Sequence, residues 1–204
     1  MIIGVDIDGV LTKLYAYCVK KSKEFFKKEK SKGEKFKKST CLYQLLGMTK
    51  EQDKRFWKEY IWDYSKEVKF YKHASKFLNK LREAGHQIYI ITLRQYFGTG
   101  DENSVLMENI IKETFANNGI VYDKLFGLYG KREKLTCVLE NNVDVMIDDS
   151  FENLSVISPH VPCICFDAKY NHGIKLDNMT RCKNWKQVYK ALKVLEESKL
   201  NEVK

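Results

Sequence analysis

The chain has 204 residues, 44% of them apolar, and 36 Lys and Arg against 27 Asp and Glu, for a net charge of +9. A chain of this size buries roughly 70% of its unfolded surface, so an ordinary core is available and a disulfide framework is not needed; Cys18, Cys41, Cys137, Cys163, Cys165 and Cys182 show no regular spacing. No apolar run approaches the roughly 20 residues that span a bilayer, and the N-terminus enters a strand without a basic leader, so no membrane partner is expected and a soluble, cytoplasmic protein is.

The first element is "IIGVDI", a β-branched run that suits a central strand and ends in two acids, Asp6 and Asp8, with Gly9 behind them. From Leu14 to about Lys30, Tyr15, Val19, Phe25 and Phe26 recur near helical spacing among lysines, which predicts a basic amphipathic helix. The excess charge gathers here, between Lys13 and Lys38. Such a segment attracts phosphates, but lysine rather than arginine dominates it, and a solvated helix face accounts for it better than nucleic acid does. "TKEQ", Thr49 to Gln52, is a capping box that starts a second helix carrying Phe56, Trp57, Tyr60, Ile61 and Trp62. Residues 14–69 thus read as helical, without a strand pattern.

Beyond them the rhythm alternates. "ASKFLNKLREAG" is a helix closed by Gly85, "QIYIITLR" a strand, "SVLMENIIKETFANNG" a helix, "DKLFGLY" a short strand and "KREKLTCVLENN" a helix. "VDVMIDDS" is a strand running into two more acids, "PCICFD" a last strand, and "NWKQVYKALKVLEE" a closing helix capped by Asn184. Alternation of this kind predicts an α/β fold with right-handed crossovers and a mostly parallel sheet. Ligands of such sheets bind outside the carboxyl ends of the strands.

Those ends carry Asp6 and Asp8, then Thr92 and Arg94, then Asp148 and Asp149, with Lys134 on the helix before the last pair. Strand ends turn polar as they reach water, which explains one acid pair; it explains two poorly. Carboxylates gathered in one cleft repel unless a cation joins them, and oxygen-only ligands favour Mg²⁺, which leaves room for a substrate phosphate. In that arrangement Asp6 is placed to attack and Asp8 to handle the leaving-group proton, with a hydroxyl and an ammonium as donors to phosphate oxygens. His160, Cys163, Cys165 and His172 could suggest zinc, but Cys163 and Cys165 share one face of an apolar strand and read as core. "FGTG", Phe97 to Gly100, lacks a dinucleotide spacing and is a loop near the site. Tyr170 and Asn171 either border the site or form a turn.

"DIDGVLT" with "IITLR", Lys134 and "MIDDS" resembles the motif set of the haloacid dehalogenase (HAD) superfamily, in its aspartyl-phosphate phosphatase branch. "KLTCVLENNVDVMIDD" together with "PCICFDAKYN" is similar to the 5′-nucleotidase type C group and its bacterial relatives. The resemblance covers residues 1–13 and about 70–175 and implies a Rossmann-like core, residues 1–13 plus 70–204, with residues 14–69 inserted as a helical C1 cap. It implies a Mg²⁺-dependent phosphomonoesterase in which Asp6 forms the phospho-aspartate and binds the metal. Asp8 would bind metal through its backbone carbonyl and serve as acid/base through its side chain. Thr92 and Lys134 would hold the phosphate, with Arg94 beside them; Lys131 competes with Lys134 for that role. Asp149 would be the direct metal ligand and Asp148 its support. The implied substrate is a small phosphate monoester, a nucleotide ahead of a sugar phosphate. A nucleic-acid-binding module with a vestigial acid site is the reading from another class. Cap aromatics such as Tyr15, Tyr17 and Phe25 are candidates to stack on a base.

Overall fold

The computed structural model describes residues 1–35, 41–173 and 175–202. Its centre is a six-stranded sheet, all parallel, with strand order β3-β2-β1-β4-β5-β6. The strands are β1 (Ile2–Val5), β2 (Gln87–Thr92), β3 (Lys124–Gly127), β4 (Val145–Asp148), β5 (Cys163–Phe166) and β6 (Met179–Cys182). Helices α1 (Leu14–Lys28), α2 (Leu42–Leu45) and α3 (Lys50–Glu67) lie between β1 and the rest; α4 (Ala74–Glu83), α5 (Glu102–Asn117), α6 (Lys131–Glu140), α7 (Phe151–Ile157) and α8 (Trp185–Glu202) follow.

Side-chain alternation divides the core in two. Ile3, Val5, Ile88, Ile90, Val145, Ile147, Ile164 and Phe166 face one layer, completed by Leu78, Phe115 and Trp185. Tyr89, Ile91, Met146, Cys163 and Cys165 face the other, with Val138, Leu154 and Ile157. Both faces of a parallel sheet are covered by crossover helices, so its strands are apolar on both sides. Cys163 and Cys165 are core residues as their spacing suggests.

The sheet begins in its middle. From β1 the chain proceeds to β2 and β3 on one side, then crosses to β4, β5 and β6 on the other. The switch point therefore lies between β1 and β4, which is where a doubly wound sheet opens a crevice.

The expected elements form, and the expected caps at Thr49 and Asn184 are present. Thr49 caps α3 reciprocally: its hydroxyl accepts from Gln52 N at 3.2 Å and Gln52 Oε1 accepts from Thr49 N at 2.9 Å. Asn184 Oδ1 accepts from Gln187 N at 3.1 Å at the head of α8. Three elements go beyond the sequence reading: α2, α7 and the edge strand β6. β6 is four residues long and pairs only with β5, so its pattern is too short to stand alone.

Among the described residues, 14–69 hold the helices α1, α2 and α3 joined by irregular segments, with no strand, and an isolated antiparallel bridge of Thr12 with Phe70 closes their base. Cys18, Phe25, Met48, Phe56 and Tyr60 form a small core of their own. Ile61 and Tyr64 of α3, and Val68 just after it, belong instead to the main core. The lysine-rich segment is basic and amphipathic over α1: Lys20, Lys23 and Lys27 are exposed while Phe25 is buried. Its end, residues 36–38, lies outside the described residues.

Candidate active site

Three neighbouring strands deliver the polar cluster. Asp6 follows β1, and its N–H donates to Ile147 O of β4 at 2.9 Å, continuing the ladder to the edge of the crevice. Thr92 ends β2, Asp148 ends β4 and Asp149 follows it. The turn after Asp6 needs Gly9, at φ +81°; a Cβ there would overlap the Asp149 carboxylate and the Tyr170 hydroxyl. Only glycine adopts this conformation without strain and leaves that space open.

Asp6, Asp148 and Asp149 are buried, and each offers an oxygen within 4.8 Å of the others. Lys134, fully buried on α6, bridges two of them: Nζ is 2.6 Å from Asp6 Oδ1 and 2.6 Å from Asp148 Oδ2. Burial alone would lower the affinity of this ammonium for its proton, but Asp148 and Asp6 more than offset that, and the group is held charged. One ammonium does not balance three carboxylates. Burial, joined by the charges of Asp148 and Asp8, pushes the Asp6 carboxyl up to about 7 despite Lys134. Burial also lifts Asp149 well above the usual carboxylate range, with Asp148 and Asp6 adding to the effect.

The two acids after β4 have different surroundings. Both Asp148 oxygens are taken: Oδ1 accepts from Ser150 N at 2.8 Å, Oδ2 from Lys134, and the Asn153 amide donates to both at 3.3 and 3.1 Å. Asp149 has one oxygen bonded by the Tyr170 hydroxyl, and its carboxylate borders the cleft. Asn171 Nδ2 donates to the Asp149 carbonyl at 2.8 Å and to Phe166 O at 2.9 Å, so it holds the turn while Tyr170 touches the acid.

Of the remaining expected residues, Thr92 is buried with a hydroxyl that has no hydrogen-bond partner among the described residues. Such a group is poised for an incoming acceptor. Arg94 points elsewhere than at an open phosphate site: its Nε donates to Asp8 Oδ2 at 3.1 Å and its Nη2 pairs with Asp8 Oδ1. Two of its three guanidinium nitrogens are thus committed to Asp8. The side chain of Lys131 lies outside the described residues.

A cleft of about 320 Å³ opens over the cluster, walled by Asp6, Asp8, Asp149, Leu14, Tyr43 and Phe151. A second lobe of about 320 Å³ shares Asp8, Leu14, Leu42 and Leu93 with it and runs under α3 past Trp57, Ile61 and Gln95. The cap aromatics expected at the substrate lie mostly elsewhere. Phe25 is buried against Phe56, Tyr17 packs edge-on against Tyr64, and Lys169 lies over the Tyr15 ring. Sequence reasoning missed Tyr64, Asn153 and the α2 residues Leu42 and Tyr43. None belongs to a motif, and only their place in the fold brings them to the acids.

A parallel Rossmann-like sheet with paired acids at its switch point and a buried lysine between them defines a HAD-superfamily phosphatase, a phosphoric monoester hydrolase. The chain belongs to the cytosolic type C 5′-nucleotidase family: the family model described as "5′ nucleotidase, deoxy (Pyrimidine), cytosolic type C protein" matches residues 1–198. Solved structures agree on the fold. A haloacid dehalogenase-like family hydrolase from Streptococcus pneumoniae superposes with a TM-score of 0.63 at 12% identity, covering 93% of this chain and 97% of the other. A predicted phosphoglycolate phosphatase from Haemophilus somnus gives 0.61 at 14% identity, with 94% and 97% coverage. CbbY from Rhodobacter sphaeroides, in complex with xylulose-(1,5)bisphosphate, gives 0.56 at 12%, with 91% and 95% coverage. No curated protein matches the chain significantly. No helix among the described residues is long and apolar enough to cross a membrane.

Proposed function

We propose that this protein is a cytoplasmic, Mg²⁺-dependent phosphomonoesterase of nucleoside 5′-monophosphates that works through an aspartyl-phosphate on Asp6. The family match over residues 1–198 carries the substrate assignment. The chemistry of the acids supports the metal: an all-oxygen set within 4.8 Å, with Asp6 and Asp149 strained toward protonation, is a cluster that a divalent cation would relieve. Asp6, Asp149 and the Asp8 carbonyl would hold it, and Asp148, whose oxygens are already bonded, would support them. When bound, Mg²⁺ offsets the repulsion between a phosphate dianion and an attacking carboxylate.

The residues then divide the reaction. An Asp6 oxygen attacks phosphorus, the P–O bond to the substrate alcohol breaks, and Asp8 gives its proton to the departing oxygen. Water next attacks the aspartyl-phosphate, Asp8 takes the water proton, and inorganic phosphate leaves with Asp6 restored. Lys134 holds Asp6 in line from below, and the unpartnered Thr92 hydroxyl donates to a phosphate oxygen. Leu14, Leu42, Tyr43 and Trp57 offer apolar walls where a base and ribose would leave water. The test is phosphate release from a panel of nucleoside 5′-monophosphates and sugar phosphates, with Mg²⁺ and with EDTA. Nucleotide hydrolysis that EDTA abolishes is expected; preference for sugar phosphates would overturn the substrate assignment.

A further inference from the structure

Asp8 is the acid/base of the proposed reaction, yet it sits at the mouth of a turn, one residue before a glycine, where nothing in its own backbone fixes its side chain. Two side chains, with three donor groups between them, fix it instead. Tyr64, fully buried on α3, donates to Asp8 Oδ1 at 2.5 Å. Arg94, after β2, grips both oxygens, Nη2 on Oδ1 and Nε on Oδ2 at 3.1 Å. The guanidinium also lies 5.1 Å from the centre of the Tyr64 ring, so the two donors brace each other. Thr12 completes the set, with its hydroxyl 2.8 Å from that of Tyr64. Each hydroxyl has one proton. With the phenol proton spent on Asp8, the Tyr64 oxygen can only accept from Thr12, whose hydroxyl also lies 3.2 Å from Ile7 O.

We infer that Tyr64 and Arg94 are the positioning residues of Asp8, and that through Tyr64 the inserted helices set the orientation of the acid/base in the core. Oδ1 receives two donors and Oδ2 one, so Oδ2 keeps the open lone pair and is the oxygen turned to the substrate. α3 is also tied to the loop after Arg94 by the stack of Trp62 on Tyr96, 5.2 Å apart and within 6° of parallel. The same helix lines the second lobe through Trp57 and Ile61. An element that touches the leaving group thus also aims the group that protonates it.

This inference rests on the general-acid reading of Asp8, and the test separates the two. Tyr64→Phe keeps the ring and its packing and removes one hydroxyl; Arg94→Lys keeps the charge and removes the fork. Each is compared with wild type and Asp8→Asn on p-nitrophenyl phosphate, whose leaving group scarcely needs a proton, and on a primary alkyl phosphate that the protein hydrolyses. General acid catalysis is worth roughly 10²- to 10⁴-fold, so misaiming should lower kcat on the alkyl ester by about tenfold or more relative to its effect on p-nitrophenyl phosphate. KM should change little, and adding Tyr64→Phe to Asp8→Asn should cost nothing further. Equal losses on both esters in Tyr64→Phe, or no loss, while Asp8→Asn keeps its leaving-group bias, would overturn the positioning role alone. Absence of that bias in Asp8→Asn would overturn the general-acid reading and this inference with it.

Discussion

Asp6 shows how one side chain is set by conflicting demands. In our proposal it must be ionised to attack, and burial resists that, so Lys134 and a cation hold the charge in place. Asp6→Asn should remove the nucleophile with almost no change in shape. Turnover should fall by a factor on the order of 10⁴ or more, while far-ultraviolet circular dichroism stays at wild type; wild-type turnover would sink the mechanism. Lys134 carries a structural load as well. Its ammonium is shared by Asp6 and Asp148 with no exposure to water. Lys134→Met would leave two buried carboxylates without their counter-charge, and breaking a buried ion pair from one side costs about 3–5 kcal/mol. Urea unfolding should register that loss; unchanged stability would show that the bridge contributes little.

At the scale of the element, α3 does three things: it starts with a reciprocal cap, it packs the inserted core through Phe56 and Tyr60, and it delivers Tyr64. It also carries a strained group. Burial raises the Asp53 carboxyl to about 6, partly countered by a hydrogen bond with Trp57. A folded-state pKa above the unfolded value means that the fold holds this proton more tightly. The resulting stability is present below about pH 4 and is lost as pH rises through about 6. Asp53→Asn removes the penalty. Because the side chain is only half-buried, the gain should be about 1 kcal/mol at pH 8, fading to nothing near pH 4. Denaturant midpoints at the two pH values decide it, and a variant less stable at pH 8 would contradict the assignment.

For the whole molecule, the inserted helices are not a detachable lid. The family resemblance sets residues 14–69 apart as an inserted cap, and replacing them by a short Gly/Ser linker tests how separate they are. In the structure Ile61, Tyr64 and Val68 are part of the main core, and Trp57 and Trp62 pack against it. Removing them exposes an apolar surface that the sheet layer buries, and large apolar deletions of this kind cost several kcal/mol each. The linker variant should lose cooperative unfolding, followed by thermal melting. A sharp transition and undiminished turnover of p-nitrophenyl phosphate would show an independent core.

The alternation of strands and helices, the parallel sheet and the motif acids were legible because each rests on a local pattern: β-branched runs, helical spacing, a capping box, acids at strand ends. Asp6, Asp8, Thr92, Asp148 and Asp149 lie at one edge because strands adjacent in a parallel sheet bring their carboxyl ends together, and Lys134 joins Asp6 and Asp148 from α6. Which of Asp148 and Asp149 binds and which supports was implied by the family resemblance and by no local pattern. Asp148 and Asp149 are neighbours of the same type, and only the packing of Asn153, Lys134 and Tyr170 makes one saturated and the other open. Arg94 reads equally well as a phosphate donor until the fold brings Asp8 within its reach. β6 and α2 are too short to carry a period and form only against what is already folded. Tyr64 lies in an aromatic-rich helix where any ring could pack, and it reaches the acid because α3 crosses the end of β1, a contact between residues 56 positions apart that no local signal specifies.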